Sequence, residues 1–189
     1  MRHEFFTEEA LNIKFNDIIL ERVDCVRLLG LELDERLQFD QHIRSIQNKI
    51  IPFTFALKRI RDLISDKTAL MLYNSYIQSR IMYMNCVWYA APNFLIESLE
   101  ITQRKSLRVV LKKPWHCSRS ELYSNSIFSV SSLAQLSSGL LMFKMKHNLA
   151  KNLNLFRNLS QQHNFNTRNN DLIVVDRTSS QFGSKNFYI

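Results

Sequence analysis

The feature that most constrains this chain is an apolar stripe that runs from residue 39 to residue 64. Its members step by three or four positions, which predicts one face of a long α-helix. Asp40 is a candidate N-cap for this helix. Because proline removes a backbone donor, we expect Pro52 to kink the helix or split it in two. The stripe consists of Phe39, Ile43, Ile46, Ile50, Phe53, Leu57, Ile60 and Ile64.

Four further helices are predicted downstream, each marked by a polar residue that can accept a hydrogen bond from the first turn. Ser118 stands three residues before Glu121, which is the spacing of a capping box. The last helix is predicted to begin at Ser132, where glutamine replaces the glutamate of the same spacing. The candidate caps, in order, are Ser65 or Asp66, Asn93, Ser118 and Ser132.

The first 36 residues have a different period. Apolar and polar side chains alternate over residues 13–20 and 26–33, which predicts two or three short strands. Asn16-Asp17 is a candidate two-residue turn, and Gly30 indicates a β-bulge or a close backbone approach. Beyond about residue 152 the chain is rich in Asn and Ser, which predicts a poorly ordered tail with one candidate strand at 172–175.

The predicted fold class is therefore mainly α, with a short N-terminal β-hairpin, a bundle of about five helices and a poorly ordered C-terminal tail. A content of 3 Gly and 3 Pro provides few turns, while 46% hydrophobic residues can bury a sizeable core. We divide the chain into four segments. They are a hairpin (1–36), a helical bundle (37–114), further helices (115–159) and the tail (160–189).

Several classes of protein are disfavoured by what the sequence lacks. Cys25, Cys86 and Cys117 show no CxxC spacing, so we expect free thiols in a reducing compartment rather than disulfides or a zinc site. The first ten residues are charged, and no run of about 18 apolar residues occurs, so we expect a soluble protein with no signal peptide and no membrane partner.

Catalytic patterns are also missing from the sequence. There is no phosphate-binding glycine loop, no nucleophile elbow and no paired-histidine metal motif. A two-metal nucleotidyl-transfer site needs convergent carboxylates, yet no Asp-Asp pair occurs. We interpret Asp17, Asp24 and Asp34 as structural or surface residues. The expectation is that this chain is not an enzyme by itself.

The net charge of +8 is unevenly distributed. Residues 1–36 carry 5 basic and 9 acidic side chains, residues 37–119 carry 13 and 5, and residues 120–189 carry 7 and 3. The central segment alone therefore has a net charge of +8. Such a basic segment favours a nucleic-acid partner, although lysines that merely solubilise helices would give the same excess.

The basic residues of the central segment fall into two groups, which predict two basic helix faces and a groove for a phosphate backbone. The first group lies on the first helix and could instead stabilise its C-terminus. Aromatic residues could stack on bases or pack in the core. The candidate phosphate-binding residues are Lys49, Lys58, Arg59 and Arg61, and then Arg104, Lys105, Arg108, Lys112 and Lys113. The candidate stacking residues are Tyr73, Tyr76, Tyr83, Trp88, Tyr89 and Trp115.

Four stretches of this sequence follow one another in an order that is known from one protein family. They are VRLLGLELD at 26–34 with Leu37, Phe39 and His42-Ile43; LYNSYI at 72–77 with YMNCVW at 83–88; LEITQRKSLR at 99–108; and HNFNTR at 163–168. Together they resemble the C-terminal part of the reverse transcriptase of non-LTR (LINE/jockey-like) retrotransposons. Met84 departs from the family pattern, in which glycine is common.

The resemblance implies a position within the polymerase. Leu28, Leu29 and Gly30 would be a primer-grip-like hairpin at the end of the palm, residues 37–114 the thumb, and residues 115–159 a linker. The implied partners are RNA, DNA or an RNA–DNA duplex, together with the palm and fingers. The family's catalytic carboxylates, which bind Mg²⁺, would lie before Met1, so we expect no cofactor in this chain. Relative to the family pattern, the chain is expected to be truncated at both ends.

The leading hypothesis is a fragment of an RNA-directed DNA polymerase that retains a basic, sequence-nonspecific surface for the template–primer duplex. The alternatives are a non-functional degenerate fragment and a helical module that depends on a partner. An unpaired edge of the N-terminal strands would favour these alternatives. An enzyme that acts alone is the third hypothesis, and the absence of convergent carboxylates argues against it.

Overall fold

A computed structural model describes residues 14–16, 18–19, 21–123 and 127–147. The described residues confirm the predicted class: the chain is mainly helical, with antiparallel strands at its N-terminal end. The predicted tail at 160–189, the candidate strand at 172–175 and the family-like stretch at 163–168 lie outside the described residues.

The N-terminal strands form two antiparallel hairpins rather than one. Strands β1 (Lys14–Phe15) and β2 (Ile18–Ile19) form the first hairpin, and Asn16 of the predicted turn lies in a turn between them, whereas Asp17 is outside the described residues. Strands β3 (Cys25–Leu28) and β4 (Leu31–Asp34) form the second hairpin, with Leu28 opposite Leu31.

Gly30 lies in the tight turn of the second hairpin and not in a bulge, so the predicted bulge is wrong. Leu29 and Gly30 are the two turn residues, with φ of 50° and 82°. Two consecutive positive φ angles are typical of the type I′ turn, whose twist matches that of the paired strands. The glycine is therefore needed for its backbone angle. A Cβ atom at this position would meet only ordinary contacts with Tyr83 at 3.8 Å and beyond.

Helix α1 (Asp40–Ile60) runs without a break through Pro52, so the alternative of two separate helices is wrong. Its buried face continues on both sides of the proline, and we infer that this packing outweighs the loss of one backbone hydrogen bond. The predicted N-cap also differs. Phe39 holds that position with φ of 58°, and the preceding loop is organised by the Asp34 carboxylate, which accepts hydrogen bonds from the backbone N–H of Arg36, Gln38 and Phe39.

The next helical segment spans residues 66–82 and changes its winding in the middle. It consists of α2 (Asp66–Leu72), one π-helical stretch (Tyr73–Gln78) and α3 (Ser79–Met82). Ser65 caps it as predicted, because its hydroxyl accepts the Thr68 backbone N–H at 3.1 Å. The short helix α4 (Asn85–Trp88) follows directly.

The last three helices are α5 (Asn93–Val110), α6 (Arg119–Leu122) and α7 (Val130–Lys146). The predicted capping box of Ser118 and Glu121 is present at the start of α6. Helix α7 begins one turn earlier than predicted, since Ser129 is the cap and accepts the Ser132 backbone N–H at 3.1 Å.

Asn93 is the first residue of α5 rather than its cap, and Pro92 holds the cap position.

Helices α1 and α5 pack side by side and run in the same direction. Three hydrogen bonds show the register. The Gln47 amide donates to the Ser98 hydroxyl at 2.8 Å, the Thr54 and Ser106 hydroxyls lie 2.6 Å apart, and Arg61 Nε donates to the Val110 carbonyl at 2.9 Å. The C-terminal ends of both helices therefore lie together at one end of the molecule.

One core serves all the described helices and the second hairpin. Leu31 from β4 and Leu133 from α7 belong to the same buried cluster as the apolar faces of α1 and α5. The predicted boundary at 114/115 therefore does not separate two cores. The largest fully buried side chains include Trp88, Tyr73, Phe39, Ile43, Ile50, Leu57, Ile77, Ile81, Leu99 and Leu107. In the part of the chain that the structure describes, no helix is both long enough and apolar enough to cross a membrane.

Candidate nucleic-acid interface

Six of the nine predicted phosphate-binding residues lie toward the shared C-terminal end of α1 and α5, which we call the basic end. Five of these side chains are exposed and that of Arg108 is half-buried. Because α1 and α5 run parallel, residues that are about 50 positions apart in the sequence reach the same end of the structure. The basic end comprises Lys58, Arg59, Lys105, Arg108, Lys112 and Lys113.

The last two lysines are placed by the way in which α5 ends. The Lys113 backbone N–H donates to the Arg108 carbonyl at 2.9 Å and the Lys112 N–H to the Val109 carbonyl at 3.3 Å, with φ of 51° at Lys112. This pair of bonds is the Schellman motif, which stops a helix and satisfies its last carbonyl groups. Pro114 follows and cannot extend the helix. Two lysines therefore stand at the end of α5.

Few carboxylates neutralise the basic end. Lys112 pairs with Asp62 at 3.0 Å, and both side chains are largely exposed. Among the residues that the structure describes, no carboxylate lies within 4 Å of the charged groups of the other five. The Nε of Arg108 is buried and has no hydrogen-bond partner there, so this atom is not part of the surface that an anion can reach. The arrangement is a cluster of donors that can bind an anion with several phosphate groups.

Arg61 does not belong to this surface, which corrects the sequence-based prediction. Its residue exposure is 4%, and its guanidinium donates to the carbonyl groups of Val110 and Ile64 and to the Asp66 carboxylate. It thus satisfies backbone acceptors where α5 and the loop after α1 meet. The Arg61 charge also holds the pKa of the exposed Asp66 carboxyl below its usual value. Arg61 is a structural residue because its donors are already used.

Arg104 is likewise removed from the predicted surface. It is 7% exposed and pairs with Glu100 one turn earlier, at 3.5 Å. Glu100 in turn accepts the Ser131 hydroxyl at 2.8 Å at the start of α7. Arg104 and Arg108 share a helix face, as the spacing predicted, but other helices cover that face only at Arg104. The sequence indicated that Arg104 and Arg108 share a face of α5, but it did not indicate that the start of α7 lies against that face at Arg104.

A buried polar network beside Arg104 was not indicated by any sequence pattern. Gln103 is fully buried, and its amide donates to the Tyr73 hydroxyl and to the Phe128 carbonyl, both at 2.9 Å. Its carbonyl oxygen accepts the Tyr123 hydroxyl at 3.2 Å. Burial raises the pKa of both tyrosines. The network joins α5 to the π-helical stretch and to the segment before α7, and its hydrogen bonds make it a structural element.

Lys49 is separated from the basic end. Nine residues along a helix correspond to about 13 Å and half a revolution, so Lys49 and Lys58 project from opposite sides of α1. Lys49 lines a cleft of about 400 Å³ between α1, α3 and the tip of the second hairpin. The cleft is lined by Gly30, His42, Ile46, Lys49, Ser79, Arg80 and Tyr83.

Of the three residues predicted to be primer-grip-like, Gly30 lines this cleft. Leu28 and Leu29 are exposed, and the Leu29 carbonyl accepts the Tyr83 hydroxyl, which ties the hairpin tip to the end of α3. Arg80 lies 3.5 Å from the centroid of the Tyr76 ring and donates to the Tyr76 carbonyl at 2.6 Å. The structure thus brings Gly30 next to Lys49 and adds Arg80, a second cation.

His42 is a buried residue of the cleft, and its two nitrogens are in different surroundings. Nδ1 accepts the Glu32 backbone N–H at 3.4 Å, which assigns the proton of the neutral ring to Nε2. Nε2 has no partner among the described residues. Burial lowers the pKa of the imidazole, with the Lys49 charge acting in the same direction and the Glu32 carboxylate opposing it. The neutral ring therefore joins α1 to β4.

We expect His42 to make the protein less stable in acid. Its pKa is lowered in the folded state, so between the unfolded value of about 6.5 and the folded value the unfolded chain binds the extra proton. Stability should therefore fall as the pH drops below about 6.5. Urea unfolding at pH 7.5 and pH 5.5 measures the difference. His42→Gln should reduce it, and an unchanged pH dependence in this variant would contradict the assignment.

Of the six candidate stacking residues, the structure leaves one side chain almost fully in solvent. Tyr73 and Trp88 are completely buried, and Tyr76 stacks on Phe53 at 3.9 Å between ring centroids. Tyr83 is half exposed but is bonded to the hairpin tip. Trp115, at 84% exposure, is the exception.

The remaining polar residues show no assembled metal site. Cys25, Cys86 and Cys117 are free thiols, as predicted. In the described part of the chain, no three residues among His, Cys, Asp and Glu come together in a way that could hold a metal ion. Comparison of the chain with protein-family models, curated proteins and solved structures gives no match.

Proposed function

We propose that this chain is part of an RNA-directed DNA polymerase of the non-LTR retrotransposon type. Its role in that polymerase is to bind the phosphates of a template–primer duplex, independently of the base sequence. The basic end carries the proposal, because parallel packing of α1 and α5 collects six cations there. Among the described residues, a carboxylate pairs with one of the six, Lys112. Phosphate contacts provide affinity and orientation but no base recognition.

A structural role for these cations would be to stabilise the C-terminal end of a helix, and at α5 another residue already does part of this. Cations near a helix C-terminus stabilise its exposed carbonyl groups and its dipole. At the end of α5, Arg61 binds a terminal carbonyl directly and the Schellman motif satisfies two more. Lys105 and Lys113 are exposed and are not used in this way, whereas Lys58 and Arg59 lie in the last turn of α1, where the same stabilisation applies. Phosphate binding explains why so many cations remain beside one another despite their repulsion.

The hairpin cleft supports the same proposal from the other end of α1. Under the proposed function, the exposed turn at Leu29 and Gly30 would contact the primer strand, with Lys49 and Arg80 beside it. The tyrosine bond to the Leu29 carbonyl would hold the turn in place. Lys49 and Arg80 supply two cations to this lining, and these would bind a phosphate of the primer strand.

Salt dependence of binding is the test. We expect the chain to bind a short RNA–DNA duplex at low salt, and the logarithm of the association constant to fall against the logarithm of salt concentration with a slope of about −5 for six phosphate contacts. The double variant Lys105→Gln/Arg108→Gln should reduce the steepness by about 2 and weaken all duplex sequences alike. Fluorescence anisotropy with a labelled duplex measures both quantities.

The matched control is Arg36→Gln/Arg44→Gln, which removes the same charge near the other end of α1, where both side chains are exposed. This variant should keep the wild-type steepness to within about 1, since it removes no contact of the basic end. Binding that ignores salt, or absence of binding at low salt, would overturn the proposed function. Equal effects of the two double variants would show that only net charge matters.

A helical module that depends on a partner is the second candidate. It is favoured by the apolar surface of the second hairpin, where Val26, Leu28 and Leu29 are exposed. A two-stranded hairpin is marginally stable in water, and further strands or packing would stabilise it. Under this alternative the purified chain aggregates or melts without a cooperative transition. A stable monomer with a single sharp transition argues against it.

A further inference from the structure

Trp115 stands at the tip of a tight turn directly after the basic end. The Cys117 backbone N–H donates to the Pro114 carbonyl at 3.2 Å, so Trp115 and His116 are the two central residues of the turn. Cys117 is buried and anchors the turn, and its thiol donates to the Glu121 carboxylate at 3.4 Å. The indole is thereby held outward, at 84% exposure.

Such exposure is unusual for the largest apolar side chain, which buries itself where it can. Within the described residues, the ring contact of Trp115 is with His116, at 5.9 Å and nearly perpendicular. No other described ring stacks on the indole. The cations that are near it in sequence are Lys113 and Lys112, two and three residues earlier, and Arg119, which pairs with Glu97 at 3.8 Å.

We propose that Trp115 is a stacking site for an unpaired nucleobase, and that Lys112 and Lys113 bind the phosphates beside that base. The inference rests on the proposed function and deepens it, because it adds a single-stranded subsite to a surface that otherwise binds duplex phosphates. An aromatic ring next to cations is the arrangement by which proteins hold single strands, since every base has a face to stack and every nucleotide has a phosphate.

The chemistry favours a base over an apolar partner. A protein partner that covers an indole usually meets other apolar side chains around it, whereas here the neighbours in sequence are two lysines and a histidine. Lys112 already pairs with Asp62, which would keep one ammonium group positioned, while Lys113 has no such pair among the described residues. The Glu121 carboxylate, in α6, is occupied by the capping box of that helix and by Cys117.

Tryptophan fluorescence tests the proposal directly because the chain contains 2 Trp and Trp88 is fully buried. Titration with a single-stranded oligothymidylate at low salt should quench the Trp115 emission, while a blunt-ended duplex of equal length should quench it far less. Trp115→Ala should lose the quench and weaken single-strand binding about tenfold or more. Its affinity for duplex should change by less than about twofold, because phosphate contacts remain.

Phe94→Ala is the matched control, since it removes another exposed aromatic ring at the opposite end of α5. It should leave both the quench and the single-strand affinity unchanged. Trp115→Phe should retain part of the affinity, because a smaller ring still stacks.

The outcomes separate the two proposals. If duplex binding keeps its salt dependence while single strands neither quench Trp115 nor lose affinity in Trp115→Ala, the stacking site is overturned and the proposed function stands. If neither nucleic acid binds at low salt, both are overturned. A blue shift of Trp115 on vesicles of anionic lipid, without quenching by oligonucleotides, would overturn stacking in favour of a membrane surface.

Discussion

Replacing Arg61 with alanine is expected to lower the free energy of unfolding by about 3 kcal/mol. In the sequence, this residue belongs to one group with Lys58 and Arg59, which are predicted to bind phosphate. The guanidinium donates to the Val110 and Ile64 carbonyl groups in a site that is 4% exposed. Removing it leaves buried carbonyl groups without a donor, and an unsatisfied buried acceptor costs more than the bond itself contributed. Urea unfolding followed by circular dichroism measures the change.

Arg59→Ala is the control for this prediction, because Arg59 lies two residues away and is exposed. Its effect on stability should remain within about 0.5 kcal/mol. Arg61→Lys should recover only part of the loss, since one ammonium group cannot reproduce the planar fork that reaches three acceptors. A stable Arg61→Ala variant that binds duplex more weakly would show that Arg61 belongs to the interface after all.

Charge reversal at Arg104 should have the largest effect, a destabilisation of about 4 kcal/mol. The residue is buried beside Glu100, so Arg104→Glu places two carboxylates together under the start of α7. Neither carboxylate would have a cation beside it in that site. Burying a charge without an opposite charge is among the costliest single changes. The variant should unfold at a much lower urea concentration than the wild type.

Arg108→Glu, one turn later on the same face, provides the comparison. Arg108 is half-buried and its Nε has no partner in the described part of the chain, so reversal should weaken duplex binding about tenfold while changing stability by less than about 1 kcal/mol. The opposite pattern, a stable Arg104→Glu with weakened binding, would contradict the assignment of Arg104 to the core. Together the two variants separate folding from phosphate binding on one helix face.

Several of the described residues that carry the family resemblance are buried. His42, Tyr73, Trp88 and Gln103 are all in the core or in its polar network. These positions therefore describe how the helices pack, and the proposed binding function depends instead on surface residues around them. Variants at these four buried residues are therefore expected to test the fold, whereas variants at exposed or half-buried residues of the same stretches, such as Lys105 and Arg108, test the function.

Local patterns in the sequence predicted the long helices and two of the five helix starts. The stripe from Phe39 to Ile64 predicted α1, and the hydroxyl groups of Ser65 and Ser118 marked the next starts, because caps and helical periodicity involve residues only three or four positions apart. Local rules did not identify the backbone conformation at Gly30. Gly30 was interpreted as a bulge or a close backbone approach, whereas the hairpin register places it in the turn.

Which charges reach solvent was decided by tertiary structure alone. Arg61 and Arg104 look the same in the sequence as Arg59 and Arg108, yet the first two are covered by neighbouring elements and the last two are not. The parallel packing of α1 and α5 also placed Lys58 beside the end of α5.

Tertiary structure also decided which of the two tryptophans is exposed. The sequence could not distinguish Trp115 from Trp88, because one indole is buried or exposed only through what packs against it. Composition and periodicity thus determined a basic, mainly helical chain. The arrangement of helices around each side chain decided which cations and which aromatic ring remain free to bind, since burial is a property of neighbours that are distant in sequence.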